Sequence, residues 1–270
     1  MKLSIRDFKQ LAELIHVNYG IYLKEEKIPL VEGRLRQVLV DQQFESYAEY
    51  IDYLKTEKTG HAIQTLINKI TTNHTFFMRE TDHFNFFREE VLPELLQSKQ
   101  DKDLRIWSAG CSSGEEPYTL AMIIDEVLGE QKKYWDARIL ATDLSQQVLE
   151  SALQGVYSKD KVDSLPPNWR LKYFSKLSSD EYSLTESLRQ EVIFRKFNLM
   201  EEVFPFRKKF DVIFCRNVMI YFDMETKKKL VEKFYDITNQ DGYLFIGHSE
   251  SVNRSESKYH YIRPAVYRKL

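Results

Sequence analysis

At 270 residues the chain is long enough for one large or two modest domains, each with a proper core. Its 39 basic and 41 acidic side chains leave a formal net charge of −2, which excludes the global basic footprint of a nucleic-acid binder. A hydrophobic content of 43% excludes a disordered chain, and no apolar run approaches the ~20 residues needed to span a bilayer.

The first seventy or so residues are helical by period. Phe8, Leu11, Leu14 and Ile15 form one stripe that Asn18-Tyr19-Gly20 closes, and Leu35, Val38 and Leu39 line a second helix beginning near Pro29. Ser46 and Glu49 make a capping box for a third helix carrying Tyr47, Tyr50, Ile51 and Leu54, and Ile63, Leu66, Ile67 and Ile70 follow Thr59-Gly60 as a fourth. A small all-α domain is therefore expected over 1–72. A connecting segment and a helix with Phe84, Phe87, Val91 and Leu95 occupy 73–100. From 101 to 270 strand and helix patterns alternate as a parallel α/β sheet requires. Strands are expected at Leu104–Ala109, Ala137–Thr142, Val192–Phe197 (where the sheet resumes from the insertion), Phe210–Cys215 and Tyr243–Gly247, with helices at Glu115–Leu128, Ser145–Leu153 and Met224–Thr238. The alternation breaks at Pro166-Pro167. Two short runs, Glu181–Thr185 and Leu188–Val192, predict an antiparallel β insertion at about 175–193. Tyr259–Arg263 and Ala265–Lys269 predict a closing hairpin.

The chemistry concentrates at Leu104–Tyr118, where an apolar strand runs into Gly110, Ser112, Ser113 and Gly114 and opens a helix with Glu115 and Glu116. Small residues let backbone approach a ligand closely, and Asp143, ending the next strand, can accept both hydroxyls of a ribose. The distance from Gly110 to Asp143 exceeds the roughly 20 residues of a dinucleotide fingerprint, an excess that the polar stretch Gly129–Trp135 accounts for. Helix N-termini ordinarily attract phosphate, but two carboxylates in the first turn favour a cation. S-adenosylmethionine fits, since it carries adenosine, an ammonium and a sulfonium and no phosphate. Read alone, the turn is also compatible with an ordinary strand-to-helix connection whose glutamates complement the helix dipole. Cys111 and Cys215 read as free thiols of a cytoplasmic protein. The six histidines show no metal-ligand spacing, so no metal is expected.

Six segments, TTNHTFFMRE (Thr71–Glu80), SAGCSSGEEPYTLAM (Ser108–Met122), ATDLS (Ala141–Ser145), FNL (Phe197–Leu199), FDVIFCRNVMIYF (Phe210–Phe222) and DGYLFIGHSES (Asp241–Ser251), fall in order at family spacing. With them the chain resembles the CheR-type chemotaxis receptor methyltransferases along almost its whole length. The resemblance implies a Rossmann-like S-adenosylmethionine-dependent methyltransferase domain with a small antiparallel β insertion, preceded by a small all-α domain. It also implies O-methylation of glutamate side chains on the cytoplasmic domain of methyl-accepting chemotaxis receptors, with S-adenosylhomocysteine as product. The cofactor contacts it implies are Asn73, Thr75, Arg79, Glu116, Asp143, Asn198, Leu199, Arg216 and Asn217. Arg79 would also orient the acceptor carboxylate, and Tyr221 would lie beside the reacting centre as a hydrogen-bond donor. One departure is Met78, which stands where the family has Phe.

Two other readings compete with this one. A non-catalytic module that binds S-adenosylmethionine or docks on receptors is argued against by intact Arg79, Tyr221 and Asp143. A nucleic-acid methyltransferase is argued against by the charge balance and by the absence of a D/N-P-P-Y/F motif. Lys27, Arg34 and Arg36 give the second helix a weakly basic face for an acidic receptor bundle. Members of the family that grip a receptor's C-terminal tether peptide resemble one another in a Gly-rich turn within the insertion, whereas Ser175–Ile193 contains no glycine. Tether binding is therefore not expected, nor is nucleic acid or membrane insertion.

Overall fold

The computed structural model describes residues 1–71, 73–253 and 255–270, so Thr72, the expected last residue of the helical domain, lies outside the described residues. The chain divides into two compact units. One comprises Met1–Asn73 with Tyr221–Lys227, the other His74–Ile220 with Lys228–Leu270.

The first unit holds α1 (Ile5–Tyr19), α2 (Ile28–Asp41), α3 (Tyr47–Thr56) and α4 (His61–Ile70). Local chemistry sets their ends: the Ser4 hydroxyl accepts from Asp7 N and that of Ser46 from Glu49 N, while Gly20 closes α1 in the left-handed region at φ 70°. Phe8, Leu11, Ile15, Val31, Leu35, Tyr50, Ile51, Leu66 and Ile67 are buried, as the helical stripes require. Lys27 does not lie on α2 but ends a 3₁₀ turn, Glu25–Lys27, just before it. Arg34 points its guanidinium at the Lys69 and Ile70 carbonyls, capping the end of α4. Of the three basic residues, Arg36 is the most plainly surface-facing member of α2, 65% exposed and 3.9 Å from Glu32.

No local signal in the sequence announces that Tyr221–Lys227 belongs with this unit. Its ties are long-range: Tyr22 N donates to the Tyr221 carbonyl at 2.8 Å, Ile21 and Phe222 form an antiparallel bridge, and His16 Nε2 lies 2.6 Å from Asp223. Asp223 also accepts from Thr226 N, which starts the helix that follows.

The second unit opens with a continuous helical run, α5 (Thr81–Phe86), a π-helical turn (Phe87–Val91) and α6 (Leu92–Ser98). It continues with β1 (Ile106–Ala109), α7 (Glu115–Leu128), β2 (Ile139–Asp143), α8 (Gln146–Gln154), β3 (Val156–Ser158), α9 (Lys159–Asp163), α10 (Pro167–Tyr173), β4 (Phe174–Lys176), β5 (Glu181–Leu184), α11 (Glu186–Arg189), β6 (Val192–Lys196), β7 (Phe210–Cys215), α12 (Met224–Ile237), β8 (Thr238–Ile246), β9 (His260–Arg263) and β10 (Val266–Arg268). The main sheet runs β6-β2-β1-β7-β8-β10-β9. It is parallel from β6 to β8 and antiparallel in the closing hairpin. Since β2 and β6 lie to one side of β1 and β7 and β8 to the other, the strand order reverses between β1 and β7, where open α/β sheets bind ligands beyond the carboxyl ends of their strands.

The insertion differs from its expected span. Its sheet, ordered β3-β5-β4, is already begun by residues 156–158 and ends at Leu184, earlier than 175–193. Leu188–Val192 is not a strand of it. Leu188 is buried from the short helix α11, and Val192 starts the main-sheet strand β6. A single buried leucine between polar neighbours satisfies one helical turn as well as it does an alternating strand.

Candidate active site

Four strand ends build the site. After β1 the chain turns at Gly110 (φ 84°), where a Cβ would lie 2.3 Å from Val218 Cγ2, so no side chain fits. Gly110 N and Cys111 N both donate to the Thr142 carbonyl, at 2.8 and 2.9 Å. Ser112, itself left-handed at φ 49°, donates its N–H to Asp143 Oδ2 at 2.8 Å, and Ser145 N donates to Oδ1 at 2.9 Å. The Asp143 carboxylate is thus aimed by backbone on both oxygens and keeps lone pairs for further hydroxyl donors. Burial pushes its pKa up, against the lowering effect of those N–H groups.

The two first-turn glutamates of α7 diverge. Glu115 is fully buried and pairs with Lys161, so it does not add to a cation site at the strand ends. Glu116 takes the Ser108 hydroxyl on Oε1 at 2.7 Å and Arg216 Nη1 on Oε2 at 3.0 Å. Burial raises its pKa, and Arg216 works in the opposite direction. A carboxylate under that tension gains from an arriving cation.

Arg216, at the exit of β7, is 2% exposed at its side chain and bridges Glu116, Glu80 at 3.0 Å and the Arg79 carbonyl. The geometry makes it a buried counter-charge that fixes two carboxylates. Asn217 (φ 59°) donates its side-chain N–H to Glu80 at 3.2 Å and its backbone N–H to Glu250 at 2.9 Å. Burial opposes ionisation of Glu80, yet Arg216, Asn217 and the His248 N–H together hold its pKa below the ordinary carboxylate range. Glu250 is buried and also accepts from Gly247 N at 2.6 Å and Ile220 N at 3.0 Å, bracing the whole stretch before Tyr221. Burial still leaves its pKa raised.

Arg79 is flanked by two left-handed residues, Met78 and Glu80, each at φ 58°, and donates Nη1 to the His74 carbonyl at 2.8 Å. Met78 packs partly buried against the core, filling apolar space as the family's Phe would. Thr75 is half-buried in the same unit. Beyond β6, Asn198 Oδ1 accepts from Met200 N at 3.0 Å in a side-chain turn, Leu199 is buried, and Phe197 N donates to the Asp143 carbonyl at 3.0 Å. Thr75, Arg79, Glu116, Asp143, Asn198, Leu199, Arg216 and Asn217 therefore all belong to the second unit, whereas Asn73 and Tyr221 fall in the first.

Glu80, Glu250 and His83 are absent from the residues that the sequence singles out. Glu80 and Glu250 sit within the family segments, but nothing local marks a carboxylate as the acceptor for backbone far along the chain. Among the described residues, Glu80, His83 and His248 also gather metal-type donor atoms within 4.8 Å. A metal ion there would have to compete with Arg216 for the Glu80 carboxylate. The cavity lined by Asp125, Lys132, Lys133, Lys172, Tyr173 and Glu191 has two of its lysines, Lys132 and Lys172, already paired with Asp125 or Glu191.

A glycine turn at the reversal point of a parallel sheet, an aimed strand-end carboxylate and an excess of acid over base suit a ribose-bearing cation. They define a Rossmann-like S-adenosylmethionine-dependent methyltransferase. Residues 73–267 match the CheR methyltransferase SAM binding domain and residues 6–71 the CheR methyltransferase all-alpha domain. The chain is 44% identical over 266 residues to a chemotaxis protein methyltransferase of Borreliella burgdorferi, covering 97% of this chain and 94% of that protein. It is 36% identical to chemotaxis protein methyltransferase 2 of Vibrio cholerae (94% and 88% covered) and 32% identical to the chemotaxis protein methyltransferase of Escherichia coli (99% and 92%). The chain belongs to the CheR methyltransferase family. It is an S-adenosylmethionine-dependent methyltransferase of chemotaxis, and none of the described helices is long and apolar enough to cross a membrane.

Proposed function

We propose that this enzyme esterifies glutamate side chains on the cytoplasmic domain of methyl-accepting chemotaxis receptors, working in the cytoplasm as a protein-glutamate O-methyltransferase. The observation that carries the reading is the match of both family domains in order along one chain. When bound, S-adenosylmethionine supplies an electrophilic methyl group. The chain's own residues hold and aim the partners. Asp143 accepts the ribose hydroxyls, Glu116 faces the ammonium, and Asn198 offers amide donors and an acceptor to the adenine edge beside Leu199. Asn73, Thr75, Arg79, Arg216 and Asn217 complete the ligand contacts. Arg216 also pairs Glu116 and Glu80.

An acceptor glutamate with a pKa near ~4.3 is already an anion at neutral pH, so no general base is required. Arg79 orients that carboxylate, Tyr221 donates a hydrogen bond beside it, and catalysis reduces to positioning. The turn between β4 and β5 carries Asp180 and no glycine, which supports recognition of the methylated helices directly, without a C-terminal tether peptide. Neither nucleic acid nor membrane insertion has a place in the scheme.

Incubation with radiolabelled S-adenosylmethionine and receptor cytoplasmic fragments tests the reading: label should leave as volatile methanol in base. Arg79→Ala and Tyr221→Phe should lower turnover more than S-adenosylhomocysteine affinity, because they remove interactions felt at the reacting centre. Base-stable label, or full activity in both variants, would sink it.

A further inference from the structure

We infer that the small antiparallel insertion is a second support of the cofactor turn, and that Tyr157 and Lys161 are positioning residues for cofactor binding, acting through Ser113 and Glu115. The inference rests on the strand-end site described above.

Tyr157 lies on β3 and is 4% exposed, and its hydroxyl donates to the Ser113 carbonyl at 2.7 Å. Lys161, one turn further along on α9, donates to Glu115 Oε1, while the Ser113 hydroxyl donates to Oε2 at 2.7 Å. Glu115 has no exposed surface. A carboxylate buried to that degree requires a counter-charge, and Lys161 is the one that reaches it. The fit is close on the other side too. A Cβ on Gly114 would lie 2.9 Å from Ala152 Cβ and 3.0 Å from the Tyr157 hydroxyl. Phe77, in the segment that also carries Arg79, meets the Tyr157 ring edge-on at 4.8 Å between centroids.

The turn so gripped also has its own backbone hydrogen bonds, Gly114 N to the Cys111 carbonyl at 3.1 Å among them, so the insertion adds to a frame that is already there. Ser112, a non-glycine residue, sits at φ 49°, and such a conformation persists where the surroundings over-determine it. Ser112 N is also what aims Asp143. Removing Lys161 leaves the Glu115 charge unpaired, and relieving it moves the turn, with Ser112, away from the geometry that presents Asp143. The insertion therefore sets cofactor affinity from outside the ligand's own contacts.

Titration calorimetry with S-adenosylhomocysteine on the full chain tests this. Lys161→Met and Tyr157→Phe should each weaken binding about tenfold, the scale of losing one charged or well-buried hydrogen bond. In turnover they should raise the KM for S-adenosylmethionine more than they lower kcat. Lys161→Arg should keep most of the affinity. The double variant Glu115→Gln/Lys161→Met, which has no stranded charge, should bind better than Lys161→Met alone; should the single variant not fold, Tyr157→Phe decides, and wild-type affinity there overturns the role. Asp143→Ala separates the two ideas. If it weakens binding while Lys161→Met and Tyr157→Phe bind as wild type does, the positioning role is overturned and the site stands. If Lys161→Met loses affinity and Asp143→Ala does not, the route through Ser112 and Asp143 is overturned together with the assignment of Asp143.

Discussion

The turns that leave β1 and β7 follow neighbouring parallel strands, in register Ile106↔Val212, and meet where Gly110 abuts Val218, yet they are built from different materials. The first is held by backbone: two N–H groups on the Thr142 carbonyl, a third on Asp143, and a glycine where nothing larger fits. The second is held by buried charge. Arg216 spans Glu116 and Glu80, and Glu250 gathers the N–H groups of Asn217, Ile220 and Gly247. The first turn takes its shape from one glycine and its own N–H groups, with the Glu115–Lys161 pair as a buttress, whereas the second needs several distant residues together and fails when one partner is removed.

The largest effect expected from that difference is at Arg216. Arg216→Ala strands two carboxylates that are each 14% exposed, and breaking a buried pair in this way costs about 3–5 kcal/mol of folding stability. Arg216→Lys should recover little of it, because an ammonium cannot span both carboxylates and the Arg79 carbonyl with a planar fork. Denaturant unfolding of the two variants measures the loss, and a cost below about 1 kcal/mol would place the pair with ordinary surface bridges.

The same difference governs what could be read from the sequence. Gly110, Gly114 and Asp143 are legible because turn and strand-end chemistry is local, and the helical stripes of α1 to α4 are legible because burial repeats at 3.6 residues. Arg216 and Glu116 could be named from the family resemblance, but their pairing could not, since a hundred residues separate them. Glu80 and Glu250 were invisible as supports for the same reason. The segment Tyr221–Lys227 joins the helical unit through Tyr22, Ile21 and His16, contacts with no periodic signature. Leu188–Val192 fails in the opposite way, because a short run with one buried leucine fits two periods at once.

A smaller effect is expected at Gly110. Gly110→Ala forces a side chain into the left-handed region and against Val218, a combined cost of about 2 kcal/mol. In a Val218→Ala background the contact is relieved and the backbone cost remains, so the penalty should fall without vanishing. Full relief by Val218→Ala in denaturant unfolding would mean that packing alone, not backbone conformation, reserves the position for glycine.

The smallest effect is the titration of a buried histidine on the charge-held side. His83 is 1% exposed, with Nδ1 3.4 Å from Glu80 and its ring centroid 4.4 Å from that of His248. Burial first, then the neighbouring Arg216 and His248, push its pKa down to about 3, and Glu80 only partly offsets them. The folded chain therefore keeps this imidazole neutral where the unfolded chain, with a pKa near ~6.5, takes up a proton. Stability contributed this way is complete above pH ~6.5 and declines as the pH falls toward 3, at a limiting ~1.4 kcal/mol per pH unit. Glu80 acts with the same sign further down, its lowered pKa giving stability that is lost as the pH falls through it. Between pH 7 and pH 6 the His83 contribution should change by less than about 1 kcal/mol, with a steeper fall from pH 6 to 5. His83→Gln removes that part of the slope. Gly110→Ala, which changes no charge, should lower stability by the same amount at every pH. Urea unfolding at pH 7, 6 and 5 distinguishes them, and a slope in His83→Gln equal to that of the wild type would mean that the buried imidazole does not titrate on unfolding.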